Sequence, residues 1–317
     1  MQHCSRPCSY ERAILVNLTS PLRLGVIGLS EGNGHPYSWS AILNGYDPDV
    51  MKECPFPAIP AYLAERRFPD DQLSGACVTQ VWTQDLASSQ HIARAARIPK
   101  VARDFRDMLG EVDALLLARD DAEHHLGFAE AFLEAGIPVY VDKPPALSVA
   151  ALDALFQRAI EPAQIFSCSA LRFADELRLS AEEARTIGPL KCISGVTPKS
   201  WKRYAAHVID PILSFVEPGR VTAGRSVVDR GAVTLSVDWN SGLKGQISAT
   251  GLASGRISLT YQGERESIEK VFADSFLAFR AALHSFVQGV RQRTSCTPYE
   301  HLKRVVELIE MGMSHGP

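Results

Sequence analysis

Residues 22–34, with the sequence LRLGVIGLSEGNG, contain the pattern from which the fold of this chain is predicted. Residues 22–29 form an apolar run of the length and flanks typical of a buried parallel strand. A Gly/Ser-rich turn follows, and a helix is predicted around residues 38–44. Such a turn between a strand and a helix lets a pyrophosphate approach the backbone and meet the helix N-terminus.

The turn departs from the G-x-G-x-x-G fingerprint of dinucleotide-binding proteins. With Gly28 as the first glycine, Ser30 and Asn33 stand at the second and third glycine positions. The flanking strand and helix favour a nucleotide site, and a plain strand–helix turn is the alternative. The predicted cofactor contacts in this turn are Gly28, Ser30, Glu31, Gly32 and Asn33.

Buried strands and helices alternate through the first half of the chain. Further strands are predicted at residues 76–83, 112–118 and 139–141, and helices at residues 88–96 and 122–135. Residues 46–75 are rich in proline and read as an insertion with a short helix near residues 61–67. The alternation predicts an α/β fold with a parallel sheet, a Rossmann dinucleotide-binding domain over residues 21–145. Residues 1–20 are predicted to be an N-terminal extension.

The pattern changes after residue 160. Apolar and polar residues alternate at residues 233–239 and 257–261, which marks antiparallel strands with one buried face. Residues 146–295 are therefore predicted to form an α+β domain for substrate binding and oligomerisation, with an open, mainly antiparallel sheet. Residues 296–317 are predicted to hold a C-terminal helix, because Leu302, Val305, Val306 and Ile309 form one apolar stripe.

Composition excludes several classes of protein. The 317 residues include 33 basic and 36 acidic side chains, for a net charge of -3, so strong attraction to nucleic acid or an anionic membrane is not expected. No apolar run approaches the roughly 18 residues of a membrane span. Seven scattered cysteines favour a reducing cytoplasm over a disulfide framework. Cys4 and Cys8 lack a second pair that would complete a zinc site.

Three further candidates for chemistry lie outside the glycine-rich turn. Asp85 follows the second predicted strand, together with Thr83. An acidic residue at this place in dinucleotide-binding folds binds the adenosine ribose. The alternative role for Asp85 is to cap the helix that follows. No arginine follows Asp85 directly, which slightly favours NAD over NADP. Lys143 stands at the carboxyl end of the last parallel strand, where ligands of such sheets bind. His207 and Asp210 share a helix face, and histidine suits reversible proton transfer, although a packed core histidine is the alternative.

Together these segments resemble the glucose–fructose oxidoreductase/inositol dehydrogenase/rhizopine-catabolism (Gfo/Idh/MocA) family over about residues 22–315. The best local match runs from residues 112–118 through His124 to Asp142-Lys143-Pro144, where Asp142 replaces the glutamate of the family's Glu-Lys-Pro signature. Residues 169–173, 187–190 and 307–314 resemble landmarks of the family's second domain.

The resemblance implies NAD(P)-dependent hydride transfer at a secondary alcohol of a sugar, sugar acid or cyclitol. It implies that Lys143 binds the reacting oxygen and helps to place the nicotinamide, and that His207 exchanges the proton, with Tyr204 as a second proton-transfer candidate. Substrate-side candidates are Arg172, Lys199, Lys202, Arg203 and Asp210, against a solvated basic face as the alternative. Cofactor-side candidates beyond the glycine-rich turn and residues 83–85 are Ala118, Arg119 and His124. The family also implies a C-terminal helix packed on the Rossmann domain and a homodimer or homotetramer.

One departure from the family bears on function. Arg203 stands where many members have an aspartate, so it is a candidate ligand for a substrate carboxylate, and a cation near His207 would lower the pKa of the histidine. The cluster of Asp120, Asp121, Glu123, His124 and His125 resembles a metal site, but acidic residues at a helix start are favoured by the helix dipole, so no metal is expected.

Two alternative functions stay open. One is a cofactor-retaining lyase or hydrolase that acts by transient oxidation, and the other is a non-catalytic cofactor-binding scaffold.

Overall fold

A computed structural model describes residues 20–295 and 297–314 of the chain. The predicted N-terminal extension, with Cys4 and Cys8, lies outside the described residues except for Ser20. Cys296 and residues 315–317 of the predicted C-terminal segment also lie outside them.

Parallel strands form the first sheet, a six-stranded one in the order β3-β2-β1-β4-β5-β6. The strands are β1 (Leu22–Ile27), β2 (Ala76–Trp82), β3 (Lys100–Val101), β4 (Ala114–Leu117), β5 (Val139–Val141) and β6 (Ile165–Phe166). This is the strand order of a Rossmann fold, so the predicted class is confirmed. The order reverses between β1 and β4, whose carboxyl ends therefore flank the crevice where ligands of such sheets bind.

Helices connect these strands on both sides of the sheet. They are α1 (His35–Asn44), α2 (Pro48–Met51), α3 (Ala58–Ala64), α4 (Leu86–Ala95), α5 (His125–Glu134) and α6 (Val149–Phe156), with short 3-10 segments at Phe105–Met108, Ala122–His124 and Pro162–Gln164. The proline-rich insertion holds two short helices, α2 and α3, where one had been predicted. The first of these starts at Asp47, whose carboxylate accepts the amide hydrogens of Asp49 and Val50.

Strand β4 shows why these strands read as unbroken apolar runs. All four of its side chains are fully buried. Leu115 and Leu117 belong to the core beneath α5, while Ala114 and Leu116 face the opposite way, into the core beneath α1. Helices on both faces leave no polar side for alternation.

The second sheet is also six-stranded, in the order β12-β11-β7-β10-β9-β8. Its strands are β7 (Leu190–Thr197), β8 (Val221–Asp229), β9 (Ala232–Trp239), β10 (Lys244–Ala249), β11 (Ser258–Gly263) and β12 (Ser267–Val271). The remaining helices are α7 (Ala181–Ile187), α8 (Trp201–Tyr204), α9 (Ala206–Val216), α10 (Ser275–Gln292) and α11 (Tyr299–Met313). Short 3-10 segments lie at Ala170–Phe173 and Asp175–Leu177. Neighbouring strands are antiparallel except β7 and β10.

One face of this second sheet is covered by helices and the other is open. Gly195 of β7 lets α9 approach closely, because a Cβ there would lie 2.8 Å from the Cβ of Val208. On the opposite face, Val196, Ser236 and Gln246 are exposed in the single chain. The predicted alternation therefore separates a buried apolar face from a flat, solvent-facing one.

The boundary between the two units does not fall at residue 145, where the sequence predicts it, because later segments of the chain belong to the first unit. Strand β6, at Ile165–Phe166, completes the first sheet. Helix α10 packs into the first core through Phe276, Leu283 and Phe286, which lie with Tyr140. The N-terminal unit therefore extends past residue 145 and takes a helix from near the C-terminus.

The C-terminal helix α11 bridges the two units. Val305, Leu308 and Ile309 belong to the core of the second sheet. Leu302 and Val306 instead pack with Ala146 and with Leu152 of α6. The helix that packs most fully on the Rossmann core is thus α10, while α11 covers the second sheet and touches the first unit through α6. Within the described ranges, no helix is both long and apolar enough to cross a bilayer.

Two helical glycines provide a matched test of this packing. A Cβ at Gly312 of α11 would overlap the indole of Trp201, whereas a Cβ at Gly127 of α5 would meet open space. We expect Gly312→Ala to lower the free energy of unfolding by about 1–3 kcal/mol through overpacking. We expect Gly127→Ala to raise it by about 0.5–1 kcal/mol, because alanine favours the helix. Urea denaturation measures both, and equal effects at the two positions would contradict the predicted packing of α11 on Trp201.

Candidate functional site

Lys143 lies at the carboxyl end of β5, directly after the strand, and is buried. Its Nζ donates to the carbonyl oxygen of Arg203, at 3.2 Å, and lies 3.5 Å from Oδ2 of Asp120. The same ammonium lies 5.1 Å from the centre of the Tyr204 ring. A buried ammonium requires such partners, so contacts from both units fix Lys143 in place.

Asp120 connects Lys143 to the glycine-rich turn. Ser30 donates its hydroxyl to Oδ1 of Asp120 at 2.7 Å, and the amide of Asp120 donates back to the Ser30 oxygen. Burial alone would raise the pKa of Asp120. The charges of Lys143 and Arg203, with the Ser30 hydrogen bond, outweigh burial and hold that pKa below its usual value. Asp120 is therefore an anion that balances the lysine.

A second buried carboxylate, Asp142, holds the start of α1. Its Oδ2 accepts from Asn33 Nδ2, at 2.8 Å, and lies 2.6 Å from Nδ1 of His35, while Oδ1 accepts the amide of Lys143. The imidazole of His35 stacks on Trp39 with ring centres 4.8 Å apart. His35 is not predicted from the sequence, although it follows the glycine-rich turn immediately. Its partner lies 107 positions away, so nothing local to the turn indicates this contact.

His207 lies in the first turn of α9, near Tyr204 of α8. Its Nδ1 lies 3.2 Å from the hydroxyl oxygen of Ser169. Burial, with the positive charges of Lys143, His35 and Lys199, lowers the pKa of His207 well below its usual range. His207 is thus a neutral imidazole, able to accept a proton.

Asp210 is near His207 and is connected to it through Ser169. The Oδ2 of Asp210 accepts the Ser169 amide at 2.7 Å, and Oδ1 lies 2.6 Å from Nε2 of His301 on α11. Arg172 adds an ion pair at 3.8 Å. Burial would raise the Asp210 pKa, but Arg172 and His301 outweigh it and keep the pKa low. Asp210 therefore supports the serine that orients His207.

A pocket with a volume of about 180 Å³ brings these groups together. Its polar lining includes Asn33, His35, Asp120, Lys143, Tyr204 and His207. The carboxyl edge of the first sheet forms one wall, and α8 and α9 contribute another. All three predicted catalytic residues, Lys143, His207 and Tyr204, line this one pocket.

The outer part of the crevice is crossed by Arg119. Its Nη1 donates to the carbonyl of Leu29, at 2.6 Å, and to Oε1 of Gln84, at 3.0 Å. It also forms an ion pair with Asp121. Arg119 therefore spans the carboxyl ends of β1, β2 and β4, the region of the predicted cofactor contacts.

The remaining cofactor candidates differ in their local roles. Asp85 caps α4, accepting from the amide of Ser88, and Thr83 donates its hydroxyl to the Asp85 carbonyl. Ala118 is buried and donates its amide to the carbonyl of Ile27. Each lies at the carboxyl edge of the sheet.

Of the two adjacent histidines, His125 has the buried position. Its ring nitrogens lie 2.7 and 3.1 Å from the carbonyl oxygens of Arg119 and Pro145. His124, the predicted contact, is largely exposed and pairs with Asp121 at 2.9 Å. His125 therefore joins the loops after β4 and β5, a role that is not predicted from the sequence for either histidine. Among the described residues, no group of three or more His, Cys, Asp or Glu side chains is arranged to hold a metal ion.

On the substrate side, Lys199 donates to the hydroxyl of Tyr204, and Lys202 is exposed. Arg203 instead extends to the glycine-rich turn, where its Nη1 donates to the Glu31 carbonyl at 2.7 Å. The basic candidates therefore occupy three different environments.

Comparison with known families gives a match over residues 61–169, to the model described as "Oxidoreductase family, NAD-binding Rossmann fold", which is the Gfo/Idh/MocA family. This match confirms the resemblance that the sequence motifs indicated. No curated protein matches the sequence.

Solved structures with the same fold match nearly the whole chain. The scyllo-inositol dehydrogenase from Lactobacillus casei is 14% identical, with 91% of this chain and 94% of that chain covered and a TM-score of 0.68. UDP-N-acetylglucosamine 3-dehydrogenase from Acidithiobacillus ferrooxidans is 14% identical, with coverage of 93% and 98% and a TM-score of 0.67. Levoglucosan dehydrogenase, in complex with NADH, is 15% identical, with coverage of 92% and 96% and a TM-score of 0.68. At this level of identity the likeness establishes the shared fold.

The lowered pKa of His207 predicts a pH dependence of stability. The folded chain keeps His207 neutral, whereas the unfolded chain protonates it below its usual pKa of about 6.5. The resulting stability is present above that value and is lost as the pH falls below it. Between pH 7.5 and 5.5 the loss from this one group is about 1 kcal/mol.

We expect His207→Asn to remove that part of the pH dependence in urea unfolding. His284→Asn, which removes an exposed histidine of α10, is the control and should keep the wild-type slope. A wild-type slope in His207→Asn would mean that the imidazole is not held neutral.

Proposed function

We propose that this chain is an NAD(P)-dependent oxidoreductase that transfers a hydride between nicotinamide and a secondary alcohol or ketone of a sugar, sugar acid or cyclitol. The observation that carries the proposal is that Lys143 and His207, from different units of the fold, line one pocket beside the glycine-rich turn. The family match and the names of the similar structures, dehydrogenases of inositols and sugars, support this class of substrate.

The residues of the turn fit a dinucleotide. Gly32 has a φ of 76°, and apart from its two chain neighbours no atom of the described residues lies within 4 Å of the place where a Cβ would stand, so the backbone there is open to a ligand. The turn leads into α1, whose N-terminus favours an anion. Gly28, Ser30, Glu31, Gly32 and Asn33 would hold the pyrophosphate side, and Thr83, Asp85, Ala118, Arg119 and His124 the outer side. When bound, the nicotinamide supplies the hydride chemistry.

The protein's own groups handle the proton and the reacting oxygen. Nδ1 of His207 faces Ser169, which leaves Nε2 to accept the hydroxyl proton in the oxidation direction and return it in reduction. Lys143 would donate a hydrogen bond to the reacting oxygen and stabilise developing negative charge. Tyr204, beside both residues, is the further proton-transfer candidate.

We propose that the remaining polar groups determine which substrate and which cofactor the protein prefers. Lys199 and Lys202 would provide positive charge suited to an acidic sugar. Arg172 and Asp210 support the wall that carries His207. NAD is slightly favoured over NADP, because no arginine follows Asp85 directly. The Asp85 side chain caps α4 and is exposed beside the carboxyl end of β2. The four described cysteines are free thiols, which accords with a cytoplasmic setting.

One observation favours a second candidate function. His35, oriented by Asp142, places a second imidazole in the lining of the pocket. Simple hydride transfer needs one proton acceptor, whereas elimination or hydrolysis through transient oxidation needs a further acid or base. A cofactor-retaining lyase or hydrolase is therefore the alternative.

The test of the proposal begins with cofactor binding. Protein shown to be free of nucleotide is titrated with NAD⁺, NADH, NADP⁺ and NADPH in a thermal-shift assay. Binding at 100 times the Kd stabilises the fold by about 2.7 kcal/mol, so one pair should raise the Tm clearly. No shift with any of the four would contradict the proposal and favour the non-catalytic scaffold.

A screen of inositols, aldoses and sugar acids then follows nicotinamide absorbance and substrate loss in parallel. Net change of the nicotinamide supports the dehydrogenase. Loss of substrate without net nicotinamide change supports the lyase or hydrolase.

Lys143→Ala should keep the fold and the cofactor but reduce turnover by at least about 100-fold, because the reacting oxygen loses its charged donor. Lys191→Ala, which removes an exposed lysine paired with Glu264, is the control. Circular dichroism and the NADH Kd check folding and binding. Unchanged turnover in Lys143→Ala would remove this residue from the mechanism.

We further propose that two or four copies of the chain associate through the open face of the second sheet. Val196, Ser236 and Gln246 are small, polar or β-branched side chains on this face, and the charged Arg225, Lys244 and Glu269 are exposed on the same face. A flat face of this kind suits sheet packing. Light scattering at micromolar concentration should give a multiple of the 34.7 kDa chain mass. Val196→Arg should dissociate the assembly, while Leu252→Arg, an exposed leucine outside the strands, should not. A 34.7 kDa wild-type particle would rule the assembly out.

A further inference from the structure

Arg203 connects the second unit to the glycine-rich turn of the first. It lies on α8, in the segment that leads to His207. Its Nη1 reaches across to the carbonyl oxygen of Glu31, at 2.7 Å. Its own carbonyl oxygen accepts the hydrogen bond from Nζ of Lys143, at 3.2 Å. One residue thus touches both the predicted pyrophosphate turn and the predicted catalytic lysine.

The backbone that carries Arg203 is firmly held. Trp201, two positions earlier, is buried and donates its indole N–H to the carbonyl of Ile309 on α11, at 2.9 Å. Gly312 of the same helix packs against that indole. The guanidinium is therefore presented to the turn from a fixed base.

The guanidinium has unused capacity for an anion. It has five N–H donors, and the Glu31 carbonyl accepts from one of its nitrogens. Among residues 20–295 and 297–314, no carboxylate forms an ion pair with it; the charge of Arg203 acts on Asp120 from a distance, and the ion-pair partner of Asp120 is Lys143. Close by in the turn, Gly32 faces open space. Arginine binds phosphate oxygens in a two-pronged manner that is stronger than a bond to a neutral carbonyl.

We propose that Arg203 binds the pyrophosphate of the dinucleotide, exchanging the Glu31 carbonyl for phosphate oxygens when the cofactor enters. This inference rests on the proposed function, since it requires a dinucleotide in the turn. It assigns Arg203 to the cofactor instead of to a substrate carboxylate. Because the carbonyl of Arg203 also holds Lys143, cofactor binding and lysine placement are coupled through one residue.

The experiment measures binding without any substrate. Isothermal titration calorimetry with NADH and with ADP-ribose, which keeps the pyrophosphate but lacks nicotinamide, is run on the wild type, Arg203→Met and Arg203→Lys. We expect Arg203→Met to weaken both ligands by at least about 10-fold. Arg203→Lys should recover part of the loss, because it restores the charge without the planar fork.

Arg230→Met is the matched control, since it removes an arginine that is 91% exposed in its side chain at the turn between β8 and β9. It should bind both ligands as the wild type does. Circular dichroism and Tm confirm that each variant is folded, and Arg203→Lys stands in if Arg203→Met does not fold.

The outcomes separate this inference from the proposed function. A wild type that binds NADH and ADP-ribose, with Arg203→Met within about twofold for both, would overturn the role of Arg203 alone. Loss of NADH affinity with unchanged ADP-ribose affinity would also overturn it, because the pyrophosphate is common to both ligands. A wild type that binds neither dinucleotide nor ADP-ribose would overturn the proposed function and this inference together.

Discussion

A lysine ammonium buried between two units of the fold is the constraint on which the site depends. Lys143 is only 4% exposed, and an ammonium removed from water requires an anion and hydrogen-bond acceptors. Asp120 supplies the charge from the loop after β4, and the Arg203 carbonyl supplies an acceptor from α8. Asp120 in turn requires the Ser30 hydroxyl. The loops after β1, β4 and β5 and the helix before His207 are therefore arranged around a single charge.

Asp142 extends the same arrangement toward α1. Three donors, from Asn33, His35 and the Lys143 backbone, converge on this carboxylate. The family to which the sequence is similar has glutamate at this position, which is longer by one methylene. In this chain the shorter Asp142 contacts the imidazole of His35, in the first turn of α1. His35 therefore connects the glycine-rich turn to the end of β5. The irregular glycine fingerprint is part of the same arrangement, because Asn33, which stands at a glycine position of the fingerprint, is one of the three donors.

The sequence predicted the parts whose signal is local. Strands β1, β2, β4 and β5 were predictable because helices cover both faces of the sheet, which leaves continuous apolar runs. The two-residue strands β3 and β6 were not, since so short a segment has no periodicity. Lys143 and His207 are candidates from their positions in the sequence pattern, Tyr204 is a candidate from the resemblance, and all three line one pocket. Ser169, His301 and His35 had no comparable signal, because their partners Asp210 and Asp142 lie 41, 91 and 107 positions away.

Helix α10 has a consequence for how the chain is made. Phe276, Leu283 and Phe286 belong to the core of the N-terminal sheet, although they come late in the sequence. As the polypeptide leaves the ribosome, the first sheet emerges with part of its apolar surface uncovered. That surface stays uncovered until residues 275–292 have been synthesised. The N-terminal unit, although it is synthesised first, therefore cannot complete its core until the whole second sheet has also been synthesised.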